Sequence, residues 1–143
     1  MKNWYSRPVF FVRDAERSID FFREKLGFSL DWNHQEEGRA YVCQVSRSGF
    51  ELILAQDEVK AGNGRVFISL DSEQEKALRK EIEERKIEAS DSRWGMPIIQ
   101  ILDLDENELF FSPPNDAVRA LTRLGTRARY GSLGTSTRGD HVL

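Results

Sequence analysis

A chain of 143 residues with 39% hydrophobic and 31% charged side chains is long enough to fold unaided as one domain or as two small halves sharing a core. Its net charge of −3 argues against a general nucleic-acid binder, and no apolar run approaches the ~20 residues that cross a membrane. Cys43 is the only cysteine, which excludes an internal disulfide and a Cys-based zinc site within one chain. The opening MKNWYSRP lacks the apolar core of a secretory signal, so a cytoplasmic protein is expected.

In chain order, RPVFFVRD (7–14) is short, β-branched and aromatic and reads as a strand. A helix follows in DAERSIDFFREKLGF. Asp14 caps it, Arg17 stands where a Glu would complete a capping box, Ile19, Phe22 and Leu26 share a face, and Gly27 ends it. FSLDWN, RAYVCQVS and GFELILAQ read as strands separated by the turns QEEG and RSG. Tyr41, Cys43 and Val45 alternate with Val42 and Gln44, so one set faces inward. DEVKAGNG (57–64) is a polar, glycine-rich link.

The pattern then restarts. RVFISLD (65–71) predicts a strand, and SEQEKALRKEIEERKI a charged amphipathic helix with Ala77, Leu78, Ile82 and Ile87 inward. A weak strand around 88–92 precedes MPIIQILDLD and NELFFSPP. Val9 to Asp14 aligns with Val66 to Asp71 at an offset of 57, and FELIL (50–54) with NELFF (107–111) at the same offset. The chain therefore reads as two βαβββ modules, about 7–56 and 65–114, each too small to bury its sheet alone. The fold class expected is α+β, in one domain over 1–114 with an extension over 115–143.

DLDENELFF (103–111) opens like an EF-hand calcium loop, D-x-D-x-N. The rest of that loop is absent, with Glu108 at its glycine position and Pro114 at its bidentate Glu position. Asp103 to Asn107 reads instead as a tight turn in which Asp and Asn bond their own backbone. His34 and His141 stand apart in loop-like or terminal surroundings, and no GxSxG nucleophile motif is present. Cys43, on an inward strand position, reads as a core residue.

VFFVRDAERSIDFFREKLGF resembles the opening of the glyoxalase I, bleomycin-resistance and extradiol-dioxygenase superfamily, the vicinal oxygen chelate proteins. WGMPIIQILDLDEN (94–107) resembles its second signature, with Pro97 for an Arg, Leu104 for a Pro and Glu106 for a Gly. The resemblance implies paired modules whose curved mixed sheet forms a cup, and in the enzymes a divalent metal held by His and Glu from four strands. Those ligand positions fall on Arg7, on Arg65 or Gly64, on Ile53 and on Phe110. Arginine is permanently cationic and the hydrocarbons have no lone pair, so none ligates a metal. A register slipped by two would bring Glu51 and Glu108, without imidazoles. No metal or other cofactor is therefore expected.

The bleomycin-resistance branch lacks the metal, forms dimers and sequesters a drug in clefts at the dimer interface. By this resemblance the protein is expected to be a homodimer that binds a small molecule, planar or anionic, with no turnover. Strand alternation offers Arg7, Val9, Phe11, Ile53, Arg65, Phe67, Glu108 and Phe110 as lining, with Tyr41 and Trp94 as additions. The alternative is that these fill the cup as ordinary core, with Arg7 and Arg65 paired to Glu51 or Glu108. A second class stays open, a lyase, isomerase or dioxygenase of the superfamily with a non-standard site. The extension holds five arginines against Asp116 and Asp140, leaving 1–114 at −6. Val118, Leu121 and Leu124 suggest a short helix there, before a flexible tail.

Overall fold

The structure, a computed structural model, describes residues 3–114. The expectations for 115–143 and for His141 lie outside the described residues. In chain order the elements are β1 (Val9–Val12), α1 (Ala15–Glu24), β2 (Ser29–Glu36), β3 (Arg39–Arg47) and β4 (Phe50–Gln56). Then come β5 (Arg65–Ser69), α2 (Ser72–Glu84), β6 (Ala89–Arg93), β7 (Pro97–Leu102) and β8 (Glu108–Ser112). This is the expected α+β order, β-α-β-β-β twice, and the weak strand of the second module is present as β6. The strands form two four-stranded mixed sheets, ordered β1-β4-β3-β2 and β5-β8-β7-β6. By contacts the chain divides into two compact units. One holds 3–66 with 102–108, and the other holds 67–101 with 109–114.

Local chemistry accounts for the elements. Asp14, extended at φ −145, accepts the Arg17 N–H at 3.2 Å and starts α1. Gly27, at φ 68, turns the chain so that the Phe28 N–H reaches the Phe22 carbonyl at 2.9 Å. The stripe Ile19, Phe22 and Leu26 is buried, and α1 packs on β3 and β4. There it meets the sheet face built from Phe10, Val12, Cys43, Val45, Leu52 and Leu54, all buried. Glu37–Gly38 and Ser48–Gly49 have positive φ at both residues, the conformation whose twist suits two-residue hairpins. Asp71 caps α2 with a full capping box. It accepts the Gln74 N–H, and the Gln74 side chain accepts the Asp71 N–H, both at 2.8 Å. Leu78 and Ile87 are buried beneath α2, while Ala77 and Ile82 are half-buried.

One sequence expectation needs correction. The 57-residue offset fits the caps Asp14 and Asp71 and the strands β4 and β8, but not β1 and β5. Phe10 is 1% exposed whereas Phe67 is 44% exposed, so the two lie on opposite faces of their sheets. The Ile53 N–H bonds to the Pro8 carbonyl, which sets Val9 beside Ile53. The Glu108 N–H bonds to Gly64 and the Leu70 N–H to Ser112, which by the same parallel pattern sets Arg65 beside Glu108 and Phe67 beside Phe110. With Ile53 and Phe110 as mates, Val9 is the mate of Phe67 and Arg7 the mate of Arg65. The second module has one residue fewer between its first strand and its helix cap. A slip of one residue exchanges the two faces of a strand, which the offset alone did not reveal.

Candidate functional site

Opposite α1, the first sheet leaves a second face. Its side chains follow from the register: Trp32 pairs with Gln44, Gln44 with Ile53, and Ile53 with Val9, a row across all four strands. Val9 and Trp32, at its two ends, are 42% and 41% exposed. The neighbouring row runs His34, Val42, Ala55, Phe11. Phe11 is half-buried, with the Lys60 ammonium 5.0 Å from its ring centre. On the other side Ser46 pairs with Glu51, and Arg7 stands two residues before Val9.

A polar relay organises this end of the face. Arg7 Nη1 donates to Gln44 Oε1, Gln44 Nε2 donates to Asp31 Oδ2 at 2.8 Å, and Ser46 Oγ donates to Asp31 Oδ1 at 2.9 Å. Asp31 can reach both because it is the extra residue at a register shift between Leu30 and Trp32. By taking the amide N–H it fixes which end of the buried Gln44 faces the guanidinium. The Tyr5 ring centre lies 5.0 Å from that guanidinium. Glu51 is partly exposed, yet its Oε1 is buried with no hydrogen-bond partner. Tyr41 falls at the second register shift, where β2 advances one step from His34 to Gln35 while β3 skips from Val42 to Ala40. It is 39% exposed and is not brought to the other candidates.

Also in the first unit, the Asp103–Asn107 turn is a buried polar knot. The Asp103 carboxylate accepts the Asp105 and Asn107 N–H groups and the Asn107 amide. Asn107 also donates to the Phe11 carbonyl at 3.0 Å and accepts the Gly64 N–H at 2.8 Å. Asp105 accepts the Arg13 guanidinium at 2.9 Å. Burial pushes the Asp103 carboxyl above its ordinary value of 3.8, against the Asn107 and Asp105 hydrogen bonds. The turn is thus structural, as its residue types predict. Next to it, Arg65 Nε meets Glu108 Oε1 at 3.1 Å.

The second unit carries an aromatic cluster. The Phe67 and Trp94 rings stack, with centres 5.5 Å apart and planes at 27°, and Trp94 tilts onto Phe110 at 4.6 Å and 50°. Trp94 is placed by a tight turn in which its N–H bonds to the Met96 carbonyl at 3.0 Å around Gly95, at φ 80. Phe110 is buried beneath, and Phe67 stays exposed. The Trp94 Nε1 is buried and has no acceptor. The sequence alone does not mark Gln44, Asp31 and Trp32 as partners of the candidate residues. Their signal, the in-phase position of Gln44 with Ile53, depends on a cross-strand register that the sequence does not carry.

The residues present do not fit the metal that the family's enzymes hold. Arg7 is bound to Gln44, Arg65 to Glu108, Ile53 is a hydrocarbon side chain between Gln44 and Val9, and Phe110 lies under Trp94. Among the described residues no three His, Cys, Asp or Glu side chains converge. His34 is exposed, with Glu36 at 3.5 Å. Cys43 is fully buried, and burial pushes its thiol up to about 11, which suits a core residue and not a nucleophile.

A family profile described as glyoxalase superfamily protein matches residues 5–117, and the chain belongs to that superfamily. No curated protein matches the sequence. Among solved structures the chain is similar to the bleomycin-binding protein of bleomycin-producing Streptomyces verticillus complexed with copper(II)-bleomycin. That similarity has 19% identity and a TM-score of 0.62, covering 80% of this chain and 98% of that one. It is also similar to lactoylglutathione lyase from Agrobacterium tumefaciens, with 14% identity and a TM-score of 0.59, covering 79% and 96%. A third is the fosfomycin resistance protein FosX from Listeria monocytogenes complexed with Mn(II) and sulfate, with 14% identity and a TM-score of 0.59, covering 87% and 99%. At these identities the likeness shows the fold. No helix among the described residues is long and apolar enough to cross a membrane.

Proposed function

We propose that this protein binds and sequesters a small molecule, in the manner of the bleomycin-resistance proteins, without a metal centre and without turnover. The observation that carries this reading is the aromatic cluster. Phe110 stands at a metal-ligand position of the family's enzymes and supports Trp94, whose ring stacks on the exposed Phe67. A stacked pair with Phe67 exposed and Trp94 half-buried offers a planar ligand area at low entropic cost. On the first unit, taken by itself, the guanidiniums of Arg65, positioned by Glu108, and of Arg7 suit acceptor or anionic groups of a small molecule. Phe11 and Ile53 supply apolar contact on the first unit's own face. The protein acts as a homodimer in the cytoplasm.

A thermal-shift screen with bleomycin-type glycopeptides tests the reading. A ligand that binds only the folded state adds about 2.7 kcal/mol of stability at 100 times its Kd. A saturable rise in melting temperature supports the proposal. No rise with any member of the class rejects the bleomycin-type reading.

The buried, unpartnered oxygen of Glu51 favours a second reading, an enzyme of the superfamily with an unconventional carboxylate site. Metal analysis of protein purified with added Ni²⁺, Zn²⁺ or Fe²⁺ separates the two. Tight stoichiometric metal that is lost in Glu51→Gln supports the enzyme and contradicts sequestration without metal.

A further inference from the structure

The two modules treat one pair of positions differently. In the second, Arg65 and Glu108 form an ion pair at 3.1 Å. Their mates, Arg7 and Glu51, each stand two residues before the Val9–Ile53 pair, yet they make no ion pair. Arg7 gives Nη1 to Gln44, and Glu51 keeps a buried oxygen without a partner. The cause is the relay. Asp31, held by Ser46, takes the Gln44 amide N–H and thereby turns the amide oxygen toward Arg7. A buried acceptor left unmade is costly, and native proteins keep few of them.

We infer that Arg7 and Glu51 form a polar subsite for a ligand group that offers an acceptor and a donor side by side, such as a primary carboxamide or an amino-amide. Arg7 has donors beyond Nη1, and the broad terminal torsion of a Glu lets partial rotation turn a carboxylate oxygen toward a ligand. A plain anion would meet Glu51, and a plain cation would meet Arg7, so neither suits the pair as well as a group carrying both functions. Val9 and Trp32, in the next row, leave apolar surface beside it. The inference rests on reading the first sheet's open face as a ligand surface and is independent of the aromatic cluster.

The test uses the full chain, labelled with ¹⁵N, titrated with glycinamide, acetate or methylammonium at millimolar concentrations. Glycinamide is expected to shift the Ser46, Glu51 and Ile53 amide signals saturably, while the single-function probes do not. Glu51→Gln is expected to weaken the response roughly tenfold, the scale of a hydrogen bond to a charged group. It should also melt no lower than wild type, since the Glu51 Oε1 makes no hydrogen bond that the substitution would break. Arg7→Lys gives a second variant should the first misfold. No saturable shift, an equal response to acetate, or glycinamide binding unchanged in both variants would overturn the subsite. Failure of bleomycin-type ligands with a positive glycinamide result would reject the aromatic-cluster reading alone.

Discussion

Arg65 and Glu108 share a single Nε–H···Oε1 contact of 3.1 Å in which the carboxylate, 18% exposed, is far better covered than the guanidinium, 66% exposed. Solvent therefore screens the pair from the arginine side. A double-mutant cycle with Arg65→Met and Glu108→Gln is expected to give a coupling of roughly 0.2–1 kcal/mol that shrinks with added salt. The same cycle on Arg7 and Glu51 is expected to give a coupling near zero. Equal couplings would show that the modules are not as different as the geometry makes them.

Asn107 is fully buried and ties the Asp103 turn to Gly64 and to the Phe11 carbonyl. Asn107→Ala strands these groups and is expected to cost roughly 3 kcal/mol in urea unfolding. Asn107→Asp is expected to cost more, because its second oxygen would face the Phe11 carbonyl and the Asp103 carboxylate in place of an N–H donor. A loss within experimental error for both variants would remove the turn from the list of structural anchors.

The turn was legible in the sequence because Asp and Asn signal turns through their own backbone bonds. The cap Asp14, both glycine-containing hairpins and the modular repeat were legible for similarly local reasons, whereas the Asp71 capping box was not read from the sequence. The slip between β1 and β5 was not. It depends on which carbonyl, Pro8 or Gly64, receives the strand β4 or β8 N–H, and that is a tertiary choice. The Arg7–Gln44–Asp31 relay was hidden for the same reason, since it spans three strands and needs the irregularity at Asp31. The aromatic candidates fared differently. Phe67, Trp94 and Phe110 were each proposed singly and are found in one cluster, whereas Tyr41 sits at a shift in register that no local pattern marks.

Asp103 gives a pH dependence with a definite sign. Burial raises its folded-state value above 3.8, so between 3.8 and that higher value the folded protein holds more proton than the unfolded chain. The Asp103 contribution is thus fully present below 3.8 and is lost as pH rises through the folded value. A ¹³C titration of the carboxyl is expected to place its midpoint above 3.8. A midpoint at or below 3.8 would show that the Asn107 and Asp105 donors outweigh burial.

The stacked pair Phe67 and Trp94 is proposed to hold a small molecule. Isothermal titration of wild type, Phe67→Ala and Trp94→Ala with metal-free and copper-loaded bleomycin tests it most directly. Saturable binding by wild type is expected. Each variant should bind roughly tenfold or more weakly, since aromatic pairs contribute about 0.5–1.5 kcal/mol beyond the area they bury. Absence of binding by wild type, or unchanged affinity in two variants that remain folded, would contradict it.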